Sequence, residues 1–127
     1  MGALVQVGLG GWGRNWVAEV LPAVPGLEPV AFVDADPAMR ALAQTGLGLA
    51  PERLFASLDE AVAATGPVAA LVVVPLAAHA SVTRAALELD LHVLVEKPFT
   101  ETLAEAVELV ALAKARGDRP SFFADRP

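Results

Sequence analysis

The sequence predicts an α/β fold with a doubly wound, mostly parallel sheet of six strands in the order 3-2-1-4-5-6. Three observations carry that expectation. Short β-rich runs alternate with segments of helical spacing along the chain, which is the pattern of a parallel sheet covered by helices. The first run, Ala3-Leu-Val-Gln-Val7, precedes a cluster of glycines and reads as a strand buried on both faces. No 20–50-residue repeat or low-complexity linker interrupts the alternation. Right-handed crossovers then place helices on both faces of one sheet.

The elements follow in order. After the first strand, Gly11 to Val20 carries Trp12, Trp16, Val17 and Val20 on one helical stripe, and Pro22 and Pro25 stop it. A second strand spans Pro29 to Val33 and ends at Asp34. Asp36 reads as an N-cap with Pro37 at the first helical position, and Gly46 closes that helix near Gln44. Arg53 to Ala56 reads as a short third strand. Ser57-Leu-Asp-Glu60 is a capping box whose helix ends at Gly66. Val68 to Val74 is the most β-like run, followed by a helix from about Ala78 to Leu89 and a strand from Leu91 to Val95. Thr100 or Thr102 caps a long helix ending at Gly117, with Leu103, Val107, Val110 and Lys114 at helical spacing. Ser121 to Ala124 reads as a sixth, peripheral strand.

Composition bounds the function. The chain has 127 residues, one domain's worth, with 55% hydrophobic and 19% charged residues. Roughly two-thirds of the unfolded surface is buried at this size. Nine Lys and Arg against fifteen Asp and Glu give a net charge of −6, which argues against nucleic acid and anionic membranes as partners. Cysteine is absent, which removes disulfides and thiolate chemistry, and two histidines exclude a His-rich metal cluster. No metal site is expected. The longest apolar stretch, Val68 to Ala78, contains Pro75 and is too short to span a bilayer. Met1 leads straight into the first strand with no basic leader, so a cytoplasmic protein is expected.

Two constellations carry chemistry. Gly8-Leu9-Gly10-Gly11-Trp12-Gly13 matches G-x-G-x-x-G between a strand and a helix. In the functional reading Gly8 permits the turn, Gly10 lets a pyrophosphate approach the backbone, and Gly13 lets helix and sheet pack closely. The amides at Leu9 and Gly11 would then hold the diphosphate, beside the positive end of the helix. The alternative is a tight turn that needs only small residues. Asp34 lies 21 residues after Gly13 at the end of strand two, where a carboxylate accepts from ribose hydroxyls. Asp34 and Asp36 together repel a 2′-phosphate and favour NAD over NADP. Arg14 and Arg40 leave NADP open, and Asp36 also reads as the helix cap alone.

The second constellation is Glu96-Lys97-Pro98, directly after the fifth strand. Lys97 falls at the carboxyl edge of the sheet, where open α/β folds bind ligands. Its ammonium could hydrogen-bond a substrate hydroxyl or carbonyl, and partial burial there would suit acid–base work. The alternative is a solvated lysine paired with Glu96.

Taken together, Val-Gly-Leu-Gly-Gly-Trp-Gly13, Phe-Val-Asp34, Val-Val-Val-Pro75-Leu-Ala-Ala-His79 and His92-Val-Leu-Val-Glu-Lys-Pro98 resemble the cofactor domain of the Gfo/Idh/MocA oxidoreductases. The resemblance covers essentially the whole chain and implies a Rossmann domain that binds a nicotinamide dinucleotide. It implies that Lys97 positions and polarises a reacting hydroxyl and that Pro98 shapes its loop. Val74, Pro75 and neighbouring backbone would line the nicotinamide site, next to Glu96. His79 matches the family histidine after strand four, either near the ligand or as a structural residue; His92 reads as structural. Trp12 would either cover the cofactor or pack on the sheet.

Full-length members of that family continue into a second, β-rich domain that supplies most of the substrate pocket. Residues 1–127 would therefore be the cofactor domain without that partner, catalytically incomplete toward sugars, polyols or related substrates. A stand-alone dinucleotide-binding sensor and a methyltransferase-like protein are the other readings. Glu-Lys-Pro has no evident role in the last. The apolar tail Phe122-Phe123 suggests a homodimer through an unpaired strand edge.

Overall fold

The computed structural model describes residues 2–117 and the backbone of 121–122. Five strands and five helices alternate: β1 (Gly2–Val7), α1 (Gly11–Asn15), β2 (Leu27–Val33), α2 (Pro37–Leu47), β3 (Leu54–Phe55), α3 (Leu58–Thr65), β4 (Ala69–Val72), α4 (Leu76–Glu88), β5 (His92–Val95) and α5 (Leu103–Ala115). All pairings are parallel, and the strands lie in the order β3-β2-β1-β4-β5. Beyond β5, Ser121–Phe122 pairs in parallel with Leu94 and Val95. The rest of the expected sixth strand, and the Phe122-Phe123 edge suggested for dimerisation, lie outside the described side chains.

The central strand explains the two layers. Side chains alternate across a strand, so neighbouring residues feed opposite cores. Val5 and Val7 join Ala31, Val33, Ala70, Val72, Val93 and Val95 on the face covered by α3, α4 and α5. Leu4 and Leu71 face the other way and pack with Trp16 and Leu21. Phe32 lies on that second face with Leu9 and Ala43 of α2. β1 pairs with β2 on one side and β4 on the other, so the strand order reverses there and a crevice opens at the carboxyl ends.

Several boundaries differ from the sequence expectation. The first helix is regular only over Gly11–Asn15; Trp16–Val20 widens to a π-turn and Leu21–Ala23 tightens to a 3₁₀ turn. Pro22 has no N–H and its ring crowds the carbonyl four residues back, so regular α geometry fails one turn before it. Pro29 sits inside β2 rather than opening it. The register with β1 shifts there, from Leu4 opposite Pro29 to Val5 opposite Ala31, and this irregularity accommodates a residue that cannot donate. β3 and β4 are shorter than expected and α4 begins earlier, directly after Pro75.

One helix end is corrected, and another is decided between its two candidates. α2 runs past Gly46 to Leu47, and Gly48 closes it with φ +70° and its N–H on Gln44 O. Thr102 rather than Thr100 caps α5, in a complete capping box with Glu105. The stripe read on that helix is its wet face: Leu103, Val107 and Val110 are exposed, while Leu109 and Ala113 enter the core. Helical spacing shows which residues share a face, but not which face packs. Asp36 caps α2 by accepting from the Ala38 N–H at 2.9 Å, and Ser57 caps α3 through the Glu60 N–H.

The α2 boundary gives a sharp test. Gly46→Ala should stabilise the chain by about 0.5–1 kcal/mol, because the residue lies inside a helix in open space. Gly48→Ala should destabilise it by about 1 kcal/mol, because the left-handed cap disfavours a Cβ. Urea unfolding measures both, and the reverse pair of signs would put the helix end at Gly46.

Candidate cofactor site

The crevice at the ends of β1 and β4 is a cleft of about 830 Å³. Its walls include Gly8, Gly10, Gly11, Trp12, Gly13, Asp34, Val74, Pro75, His79, Glu96 and Lys97. Residues from separate stretches of sequence therefore meet in one place. Leu9 is the exception: its side chain is fully buried against Phe32 and Ala43.

The glycine loop is shaped from below. Gly8 has φ +112°, and a Cβ there would lie 2.0 Å from the Val73 carbonyl oxygen, so a side chain is excluded. At Gly13 a Cβ would lie 2.2 Å from Gly8 O, which fixes how closely α1 approaches the turn. Gln6, fully buried in β1, donates from Nε2 to Gly8 O at 3.0 Å and Gly13 O at 2.8 Å. Its Oε1 has no partner among the described residues, a desolvation cost of about 1–3 kcal/mol accepted to hold those two carbonyls. Sequence reasoning passes over Gln6, although an amide in an otherwise apolar strand is itself a signal. Gly10 and Gly11 differ from the other two loop glycines: no atom lies within 4 Å of a Cβ built on either. Their want of a side chain serves nothing inside the chain.

Asp34 binds the loop to strand two. Its Oδ2 accepts from the Leu9 N–H at 2.8 Å and its Oδ1 from the Asp36 N–H at 2.9 Å. This corrects the expectation that the Leu9 amide faces a diphosphate, because that amide is already spent on the carboxylate. Each carboxylate oxygen keeps a further lone pair for a hydroxyl. The opening N–H groups of α1, at Gly11, Trp12 and Gly13, have no carbonyl of their own helix to donate to. Arg14 and Arg40 turn to backbone: Arg14 Nη1 donates to Leu9 O at 2.9 Å, and Arg40 Nη1 to Asp34 O at 2.7 Å.

The far end of the cleft holds the Glu-Lys-Pro segment. Lys97 and Pro98 are exposed, and the peptide joining them is cis. Lys97 is solvated, as in the alternative reading, rather than partly buried. Glu96 does not pair with Lys97 through Oε2, which accepts from Trp12 Nε1 at 2.5 Å and Trp16 Nε1 at 2.7 Å. Trp12 is 62% exposed, so it does not pack on the sheet, whereas Trp16 is buried. His79 is buried at the start of α4, with Nε2 2.8 Å from Val74 O and Nδ1 3.1 Å from Phe99 O. His92 is exposed at the entrance to β5. Among the described residues no helix is long and apolar enough to cross a membrane.

Comparisons with known proteins agree with this geometry. Residues 3–123 match the Gfo/Idh/MocA family model, described as an oxidoreductase family with an NAD-binding Rossmann fold. The chain is 34% identical over 119 residues to an inositol 2-dehydrogenase of Leifsonia xyli subsp. xyli, covering 91% of this chain and 34% of that protein. It is 32% identical to the uncharacterized oxidoreductase YdgJ of Escherichia coli K12, covering 96% of this chain and 35% of that one. The chain thus spans about a third of the length of the curated relatives it matches. Among solved structures, GenD2 from gentamicin A biosynthesis in complex with NAD superposes with a TM-score of 0.80 at 31% identity, over 94% of this chain and 33% of that one. An oxidoreductase from Agrobacterium radiobacter, bound to NAD+, L-tartaric acid and magnesium, shares the fold at a TM-score of 0.84 and 19% identity, over 94% of this chain and 34% of that one. The chain belongs to the Gfo/Idh/MocA oxidoreductase family and is its NAD-binding Rossmann domain.

Proposed function

We propose that residues 1–127 form the cofactor half of a dehydrogenase acting on a sugar, polyol or related hydroxyl compound, and bind NAD in preference to NADP. The observation that carries the reading is the open space over Gly10 and Gly11, beside a loop whose other glycines are needed internally. A pyrophosphate fits that space, next to the free amides of the first helical turn. Asp34, already fixed by two backbone amides, offers its remaining lone pairs to an adenosine ribose. Asp36 adds a second negative charge nearby, which disfavours a 2′-phosphate.

The nicotinamide end falls to Val74, Pro75 and the lysine segment, which line the other end of the cleft. A bound nicotinamide supplies hydride transfer; Lys97 hydrogen-bonds the reacting oxygen and orients it. Exposure of Lys97 supports a role completed by another domain or subunit, since closure is what excludes water and fixes a substrate. The chain alone is then catalytically incomplete. Ser121–Phe122 starts the sixth strand in this reading, giving the order 3-2-1-4-5-6.

Calorimetric titration with NADH and NADPH tests cofactor choice. Asp34→Ala frees the Leu9 and Asp36 amides and so weakens both cofactors, but NADH should fall further, by about tenfold, because its unphosphorylated ribose also loses a partner. Equal losses, or none, would remove Asp34 from the ribose. Turnover assays of the isolated chain with sugars and polyols should show no NAD reduction above background. Activity from this chain alone would contradict the incomplete site.

A further inference from the structure

Lys97 and Pro98 are exposed, yet the residues flanking them, Glu96 and Phe99, each meet a side chain from elsewhere in the chain. On one side, Glu96 Oε2 takes N–H bonds from both Trp12 and Trp16. Trp16 is a fixed post, 3% exposed and packed with Leu4, Leu21, Leu71 and Val73. Trp12 is a free-standing indole on the glycine loop, and the carboxylate is what directs it. On the other side, His79 Nδ1 lies 3.1 Å from the Phe99 carbonyl and Nε2 2.8 Å from Val74 O, two residues past β4; a neutral ring donates to one of these carbonyls and only the doubly protonated ring to both. His79 is itself buried, 3% exposed.

We propose that Glu96 and His79 are the positioning residues for Lys97. One ties the lysine segment to the glycine loop, the other to the end of β4. Fixed points at Glu96 and Phe99 leave the segment between them little backbone freedom, so its orientation is set before a ligand arrives. Hydrogen bonds to an ionised carboxylate are the strong kind, which suits an anchor at a solvent-facing rim. The occupation of Glu96 by two indoles also keeps that oxygen from drawing the Lys97 ammonium back onto its neighbour. The inference rests on the proposed dinucleotide site and adds how its lysine end is held.

The test uses the whole chain with Glu96→Ala, Trp12→Phe and His79→Asn. The first two change partly exposed or exposed side chains, so they report even if the buried histidine variant folds poorly. Backbone ¹⁵N relaxation of Lys97, Phe99 and Thr100 is measured without ligand. Calorimetry then compares NADH with ADP-ribose, which lacks the nicotinamide. In the parent chain the segment should be as ordered as β5, with order parameters near about 0.85, falling below about 0.6 in Glu96→Ala and His79→Asn. NADH affinity should fall about tenfold in those two variants while ADP-ribose affinity changes less than about twofold. Trp12→Phe should give a smaller change in the same direction. Unchanged order in Glu96→Ala and His79→Asn would overturn the proposal, as would equal losses for both nucleotides, which mark general damage. If the parent binds neither nucleotide, the proposed function fails, and the relaxation data alone still decide whether Glu96 and His79 hold the segment.

Discussion

A Cβ on Gly8 would sit 2.0 Å from the Val73 carbonyl oxygen, and the rest of the cleft follows from that contact. It brings the exit of β1 against the end of β4 at the reversal of strand order. The turn is then locked by Gln6, which holds the carbonyls of Gly8 and Gly13, and by Asp34, which holds the Leu9 amide. With those carbonyls turned into the core, the loop presents Gly10 and the start of α1 to the crevice. A helix start with unpaired amides beside open space is a receptor for an anion.

Asp34 illustrates how one residue serves fold and site together. Its carboxylate accepts one amide from the glycine loop and one from the approach to α2. Those bonds fix the carboxylate in place, so its remaining lone pairs need no reorganisation to meet a ribose. The cleft is asymmetric in this respect. The end at Asp34 is built from backbone bonds close to the sheet, whereas the lysine end is held by side chains from distant parts of the chain.

That asymmetry also separates what is legible in the sequence from what is not. The strand order, the glycine loop and the position of Asp34 depend on local patterns: apolar runs, turn glycines and a fixed spacing after a strand. Such patterns can be read directly from the order of residues. The Trp12–Glu96 bond joins residues 84 apart, and no periodicity reports such a contact. Gly46 and Gly48 are equivalent as composition, and only the backbone φ decides which one ends the helix. Leu103, Val107 and Val110 share a face at the right spacing, but packing of Leu109 and Ala113 selects the other face. The role expected of the Leu9 amide fails because a carboxylate from another strand claims it.

The central question is whether the space above Gly10 belongs to a ligand. Gly10→Val puts its Cβ into that space with no atom beyond its chain neighbours within 4 Å, at a backbone φ of −65° that a valine accepts. The variant should unfold within about 1 kcal/mol of the parent and lose NADH affinity by more than about a hundredfold in calorimetric titration. A correctly folded Gly10→Val chain that binds NADH as tightly as the parent would contradict a dinucleotide seated over the glycine loop.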